Sequence, residues 1–557
     1  MTTANFLALQ IGLSVLVLEL FRRFYRRNLA ISAGIANVPG PESPSWLKGN
    51  FDQIFNSSAW DYHEFLARKY GSTVRLHSPF GGKSLYTCDP KVLHTVLVKD
   101  QDVFEEEDGF IKSNLLLFGD GLLGTLGHRH RKQRKMLNPV FSAAHMRDMV
   151  PTFFEVAHKL QSGIKVQLQT SPKDHQVDIL SWMARTALEL IGQSGLGYSF
   201  DPLTDEESTH PYPGIIKELL PTMMRLHFWF TRVVPLVSGV GSPKFRRFVV
   251  NLLPWKDLHH MRDMIDYMYH IASGIYESKK LALEKGDEAV AQQIGRGKDL
   301  ISILMKENMK ATDEDRLDDS ESAEMRVIQL STLIFAAMDT TSSAMARILH
   351  LLSKHPEVQD KLRGELSEAK LRNGGQDLSY DELVSLPYLD AICRETLRLY
   401  SPAPTVTRIA RQDAVVPLSR PLTGLNGTEM NEIAIPKGTS IVVSILNSNR
   451  NPDLWGKDAN EWKPERWLSP LPTTVTDARI PGVYSHLMTF IGGGRSCIGF
   501  KFSQLEMKVV ISVLVESFKF SPSARDAEIF WQMNGVTAPV VGNEQHPQLP
   551  IVISPAN

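Results

Sequence analysis

The stretch FIGGGRSCIG, Phe490 to Gly499, holds one of only three cysteines in a chain of 557 residues. The cysteine sits in a glycine run, beside an arginine, just ahead of the apolar run FKFSQLEMKVVISVLVESF. Gly492, Gly493 and Gly494 permit positive φ angles and close backbone approach. The stretch lacks the G-x-x-x-x-G-K-[ST] pattern and is therefore not a phosphate loop. The apolar run reads as a helix starting near Gly499. That places Cys497 close to a helix N-terminus, with Arg495 two residues away. Dipole and cation both favour the thiolate. Such a thiolate suits nucleophilic attack or metal ligation. A cysteine hydrolase would also need a histidine base, for which the sequence offers no clear candidate, though spacing leaves the option open. An iron–sulfur cluster wants several cysteines at set spacings, which three scattered ones do not supply.

The rest of the composition is that of an ordinary folded protein, 43% hydrophobic and 22% charged. The net charge of −1 gives no global electrostatic case for nucleic acid. Cys88, Cys393 and Cys497 are odd in number and far apart, so neither a disulfide framework nor a multi-cysteine zinc site follows. The pattern is that of a reducing compartment, where a lone cysteine is either buried filler or chemically used.

The N-terminus differs. TTANFLALQIGLSVLVLELF, Thr2 to Phe21, is mostly apolar. As a helix it would rise about 30 Å, enough to cross a bilayer core. RRFYRR follows at Arg22 to Arg27, and this order of apolar run then basic run predicts an uncleaved anchor with the bulk of the chain cytosolic. The sequons at Asn56 and Asn426 would then stay unglycosylated. The expected organisation is an anchor over 1–21, a basic and proline-rich linker over 22–45, and one body over 46–557. The prolines of NVPGPESPSW, Asn37 to Trp46, forbid helix and make the link stiff, as a linker or as an orienting strut.

Within the body, Gly71 to Ser78 and Lys83 to Asp89 read as strands, and strand-like pattern returns around Ala414 to Val416 and Thr439 to Ser444. From about Ser142 to Leu371 the apolar spacing is helical. ATDEDRLDDSESAE, Ala311 to Glu324, reads as a solvated acidic loop. It leads into a long helix ending before Pro356, apolar nearly all round and hence buried. There are no internal repeats and no clean boundary. The fold class is mostly α with small β-sheets (α+β).

Three further constellations stand out. AAMDTTSS, Ala336 to Ser343, sets an acid and hydroxyls in an apolar helix interior. It reads either as a satisfied polar patch, with threonine bonded back to a carbonyl one turn earlier, or as a proton relay through Asp339 and Thr340. Glu395 and Arg398 share a helix face, either as a common surface pair that contributes little or, with Arg466 in EWKPERW as a third member, as a buried structural lock. In GHRHRKQRK, His130 and Arg134 lie on one helical face, with Arg131 and Lys135 on the next. The first face would hold an anionic group and the outward one an acidic partner, unless the run is merely a solvated face.

Together these elements resemble the cytochrome P450 family of haem-thiolate monooxygenases. The family's haem loop, F-x-x-G-x-R-x-C-x-G, is matched by Phe490, Gly493, Arg495, Cys497 and Gly499. Its E-x-x-R pair is Glu395 and Arg398, and its P-x-R-F element is Pro464, Arg466 and Trp467, with Trp for Phe. Its A-G-x-D/E-T helix appears as Ala336 to Thr341, with Ala337 for glycine, and its W-x-x-x-R helix as His130 and Arg134, with His for Trp. Asn449 stands where many relatives have histidine. The elements follow in family order from roughly Pro39 to the C-terminus, and the anchor and proline hinge resemble the microsomal eukaryotic type.

The resemblance implies a cytochrome P450 fold preceded by one transmembrane helix, and a haem b whose iron takes Cys497 as axial thiolate. Arg495, Arg134, His130 and Arg408 would meet its propionates. Phe490 would shield the sulfur, and the glycines would let the backbone approach the porphyrin and aim N–H groups at sulfur. Asp339 and Thr340 would deliver protons. Implied partners are NADPH-cytochrome P450 reductase, docking on Arg129, Arg131, Lys132 and Lys135, with cytochrome b5 as a further electron donor, and the endoplasmic reticulum membrane. The substrate would be an apolar small molecule: a terpenoid, steroid, fatty acid or aromatic compound. Pocket positions would fall in Gln101 to Leu117, Leu219 to Val240, Pro402 to Val406 and Trp531 to Pro539. A haem-thiolate isomerase or dehydratase, or a non-catalytic haem protein, are the alternatives. The retained Asp339 and Thr340 weigh against both.

Overall fold

The computed structural model describes residues 34–170, 175–204, 210–226, 229–286, 319–544 and 546–556, with Glu19, Arg22 and isolated residues between 288 and 305. Apart from Glu19, the expected anchor over Thr2 to Phe21 lies outside these residues. Among the described residues no helix is long and apolar enough to cross a membrane. The chain folds into two compact units that each gather distant segments. The first takes the described residues of Met1–Glu107, Thr405–Trp455 and Thr473–Arg495; the second takes those of Asp108–Pro404, Gly456–Pro472 and Ser496–Asn557.

The first unit is built on a five-stranded sheet. Its strands are β1 (Thr73–His77), β2 (Lys83–Thr87), β3 (Phe104–Glu105), β4 (Thr405–Ala410) and β5 (Ser440–Ser444), in the spatial order β1-β2-β5-β4-β3. Alternating Val74 and Leu76 point into a core with Ile54, Leu66, Tyr86 and Val442, as the period of a half-buried strand requires. Arg408 on β4 pairs with Ile441 on β5, and Glu105 on β3 with Ile409 on β4. The proline-rich segment is more than a spacer. Pro39 accepts a backbone bond from Arg75 on β1, the Arg75 guanidinium donates to the Ala36 carbonyl, and Asn37 holds Leu425 and Asn426. It is therefore stitched into this unit as a strut.

The second unit is helical. Seven of its helices enter the account: α1 (Asp108–Phe118), α2 (Gly127–Leu137), α3 (Tyr212–Arg225), α4 (Pro243–Leu252), α5 (Asp319–Lys354), α6 (Pro387–Leu399) and α7 (Phe500–Ser517). Two small sheets complete it: an antiparallel hairpin of Ile529–Asn534 with Val536–Val541, and a three-stranded sheet in which Pro550–Pro555 lies between Gln176–Asp178 and Phe518–Pro522. Helix α5 starts earlier than its sequence suggests. Asp319 to Glu324, expected in the acidic loop, already belong to it. Acids are favoured near a helix N-terminus, and that preference outweighs their polarity here. The helix ends at Lys354, before the His355–Pro356 dipeptide, because a residue preceding proline avoids the α region.

The expected Glu-Arg-Arg lock forms and has a fourth member. Arg398 makes a bidentate pair with Glu395, 2.8 Å at both bonds, with both side chains at 0% exposure. Arg466 adds a contact at 3.3 Å, and the Trp467 indole N–H donates to Glu395 Oε2 at 3.0 Å. Arg398 also donates to the carbonyls of Ala459 and Glu461. A buried charge pair of this kind needs its remaining lone pairs and protons satisfied, and here the surrounding backbone does so.

Candidate functional site

The three cysteines separate by environment. Cys88 and Cys393 are buried, and desolvation pushes each thiol up to about 12. They are filler. Cys497 keeps accessible surface, yet burial by surrounding protein still raises its pKa. The Gly499 backbone N–H and Arg134 oppose the rise, as expected from dipole and cation, but burial outweighs them. The cation that acts on the thiol is Arg134, where the sequence pointed to Arg495. Arg134 on α2 donates to the Ser496 carbonyl at 2.5 Å and to its hydroxyl at 2.9 Å, which clamps the residue next to the cysteine. His130, one turn earlier, is buried on the same face with Gln133 and Leu137, while Arg129, Arg131 and Lys135 are exposed. Arg129 pairs with Asp120.

The second unit also carries the acid–alcohol motif. From Leu330 to Ser353, α5 is buried except at Phe335, Ala336, Ala337 and Thr340, where its surface opens. The Thr340 hydroxyl donates to the Ala336 carbonyl at 2.8 Å, the back-bond foreseen from sequence. Asp339 is buried and has a partner the sequence did not suggest: Lys217 of α3, at 2.5 Å from its carboxylate and 3.1 Å from the Ser342 hydroxyl. Among the described residues no hydrogen bond joins the Asp339 and Thr340 side chains. Phe118 of α1 packs its ring 5.0 Å from that of Phe335, beside the opening. Ser343 donates to the Thr537 carbonyl, and the Thr537 N–H donates to Pro402. This ties two of the expected pocket segments to α5. Trp531, expected in the pocket, stacks under Arg347 at 3.6 Å and donates to His350, so it belongs to the packing.

The first unit holds the other half of the loop. Phe490 is nearly buried and meets Tyr484 edge-on at 5.9 Å. Asn449 accepts from the Met488 N–H and donates to Thr489, fixing the entry to the loop. Gly493 has φ +75°, and a Cβ there would run into the Leu97 carbonyl; the Gly494 N–H donates to Gln101 at 2.7 Å. These two glycines thus seat the loop on its own unit, whereas Gly499 aims its N–H at sulfur. Gln101, expected in the pocket, is part of that seat. Arg408 and Arg495, expected to meet propionates, both face Glu106, at 3.4 Å and 3.0 Å.

The residues fit a haem. In the second unit an open thiol with an N–H on sulfur suits a thiolate metal ligand, with Arg134 as a nearby cation; in the first unit Arg408 and Arg495 are cations of the kind that bind carboxylates. Helix α5 offers an opening beside an acid and an alcohol. The family model for Cytochrome P450 matches residues 39–541. The chain belongs to the cytochrome P450 family. Cytochrome P450 monooxygenase 91 of Postia placenta is 50% identical over 537 residues, 96% of this chain and 97% of that one. Cytochrome P450 monooxygenase 212 of the same fungus is 47% identical over 531 residues, 95% of each. Ganoderic acid synthetase CYP5150L8 of Ganoderma lucidum is 43% identical over 516 residues, 92% of each. The chain is accordingly a P450 monooxygenase, an oxidoreductase, and the family implies haem iron with a cysteine thiolate ligand.

Two site residues went unread in the sequence. Glu106 is one of three consecutive glutamates, and nothing local distinguishes it from its neighbours. Lys217 left a faint signal, a lone cation in the apolar run GIIKELLPTMM, but its partner lies 122 positions away.

Proposed function

We propose that this P450 inserts one oxygen atom from dioxygen into an apolar small molecule, with electrons from NADPH passed by a separate reductase. The observation that carries the reading is the opening on α5 at Ala336 to Thr340, beside a buried acid, in a unit that also presents the open Cys497 thiol. Haem would be held by Cys497 as thiolate ligand, with Arg134, His130, Arg408 and Arg495 proposed for its carboxylates on the family resemblance of their motifs, and would supply dioxygen activation, which a cysteinate ligand favours by pushing electron density to iron. The chain does the rest. Asp339 holds or passes a proton under the control of Lys217, and the Thr340 hydroxyl, anchored on Ala336, presents an O–H at the opening. Phe118, Phe335 and Ala336 give that opening apolar walls, which favours a terpenoid, steroid, fatty acid or aromatic substrate. The name of the relative ganoderic acid synthetase supports a biosynthetic role.

The anchor over Thr2 to Phe21 would tether the chain to the endoplasmic reticulum. A second membrane contact is supported by α4, whose Phe245, Phe248, Val249 and Leu252 form one exposed apolar stripe while Lys244, Arg246 and Arg247 lie off it. Phe248 is 58% and Leu252 66% exposed, values that water alone does not favour. The outward face of α2, with Arg129, Arg131, Lys132 and Lys135, is the reductase docking face, Arg129 being paired with Asp120. The function is tested with isotopically labelled dioxygen, reductase and a panel of apolar substrates. Label in a hydroxylated product, formed in step with NADPH oxidation, is expected. Product formed without label or NADPH would favour an isomerase.

A further inference from the structure

Three acids follow one another at Glu105, Glu106 and Glu107, and the fold gives each a different duty. Glu105 faces Arg411 at 3.6 Å, and Glu107 bonds the Ser440 hydroxyl. Glu106 alone meets the two arginines assigned to the haem. The register explains why. Glu105 pairs with Ile409 on the antiparallel β4, so the next residue falls opposite Arg408. The Glu106 carboxylate then lies between two guanidiniums, Arg408 at 3.4 Å through Oε1 and Arg495 at 3.0 Å through Oε2, with its own side chain only 8% exposed. Its backbone carbonyl accepts from Arg411 at 2.6 Å, which fixes the residue from the other end.

We propose that Glu106 is a positioning and charge-setting residue for the haem edge: it holds Arg408 and Arg495 in place and partly offsets their charge, thereby lowering the haem reduction potential. The proposal rests on the haem-thiolate reading. It adds a residue that the family motifs on this chain do not contain. The physical basis is that a buried charge acts at short range with little screening. A negative charge beside the two cations proposed for the propionates would stabilise the more positive, oxidised iron. Because the pair is buried, the effect should persist at high salt.

The test is potentiometric titration of haem-loaded protein, wild type against Glu106→Gln and Glu106→Asp. Glu106→Gln keeps the shape and removes the charge, so its potential should move positive, with Glu106→Asp between it and wild type. Arg408→Gln, which removes a cation, should move it negative, and adding Glu106→Gln to that background should move it back. The second background also serves if the single neutralisation does not yield folded protein, because the pair then leaves as a charge-neutral unit. A thiolate-type carbon monoxide spectrum in wild type verifies the haem reading separately. Unchanged potentials on Glu106→Gln in both backgrounds, with that spectrum intact, would overturn the proposal while leaving the haem reading in place. A lowered thermal midpoint with no change in potential would likewise reduce Glu106 to a structural residue.

Discussion

Replacing Lys217 by methionine isolates the least anticipated contact in the site. The change keeps the stem and removes the ammonium that sits 2.5 Å from Asp339 and 3.1 Å from Ser342. Breaking a fully buried ion pair costs roughly 3–5 kcal/mol, because the abandoned charge stays desolvated. Here the side chains are 16% and 9% exposed, so solvent relieves part of that penalty and about 2 kcal/mol is expected. Asp339→Asn in the same chain removes the stranded charge, so the double variant should regain on the order of 1 kcal/mol relative to the sum of the singles. The assay is urea unfolding of the haem-loaded protein followed by circular dichroism, with product formed per NADPH as a second readout. Both singles should yield less product per NADPH, because Asp339 loses either its charge or its holder. Strict additivity of the two changes, or a Lys217→Met variant as stable and as well coupled as wild type, would refute the ion pair as drawn.

Other consequences follow from single contacts. Trp467→Phe restores the residue common in the family, yet it should destabilise the protein by about 1–2 kcal/mol, because the indole bond to buried Glu395 is lost; denaturant midpoints at or above wild type would contradict this. His63 is buried between Tyr86 and the Ile54 carbonyl, and burial lowers its pKa to about 4. The unfolded chain then takes up a proton first, near the ordinary pKa of about 6.5. Stability from this group is complete above that value and falls by about 3 kcal/mol as pH drops toward 4, a slope that His63→Gln should flatten in acid titrations. Arg131→Glu with Lys135→Glu should slow reduction by the reductase at low salt and leave ligand-induced spectral shifts unchanged; equal reduction rates would remove α2 from the docking face. Phe248→Asp with Leu252→Asp should weaken quenching by brominated lipid of a fluorophore placed at Val240, and undiminished quenching would leave α4 in water.

What the sequence made legible follows physical range. Cys497, Glu395, Arg398 and the α2 face all sit within one helical turn of the residues that identify them, so spacing alone was informative. The strands at β1 and β2 were legible because alternation marks a half-buried sheet face. The β4 strand was not, although it carries Arg408. The N-terminus of α5 was hidden by its acids, which suit a helix start as well as a loop. Pairings made by the fold were out of reach. Lys217 with Asp339 and Glu106 with two arginines each join segments whose proximity no local pattern encodes, and Trp467 adds to a lock of which only Glu395, Arg398 and Arg466 were legible. The glycines of the loop show the same limit: their freedom was readable, but the Leu97 carbonyl that demands it at Gly493 was not. The thiol shift at Cys497 also needed three dimensions, because neighbouring cations were visible in the sequence and burial was not.

The central claim is that Cys497 is the ligand of a haem iron, and the carbon monoxide spectrum of the reduced protein tests it most directly. Wild type should give the Soret band of a thiolate-ligated haem, and Cys497→Ala should lose it while Cys88→Ala and Cys393→Ala, which alter only buried filler, retain it. A histidine-type band in wild type, or a thiolate-type band that survives in Cys497→Ala, would contradict the account.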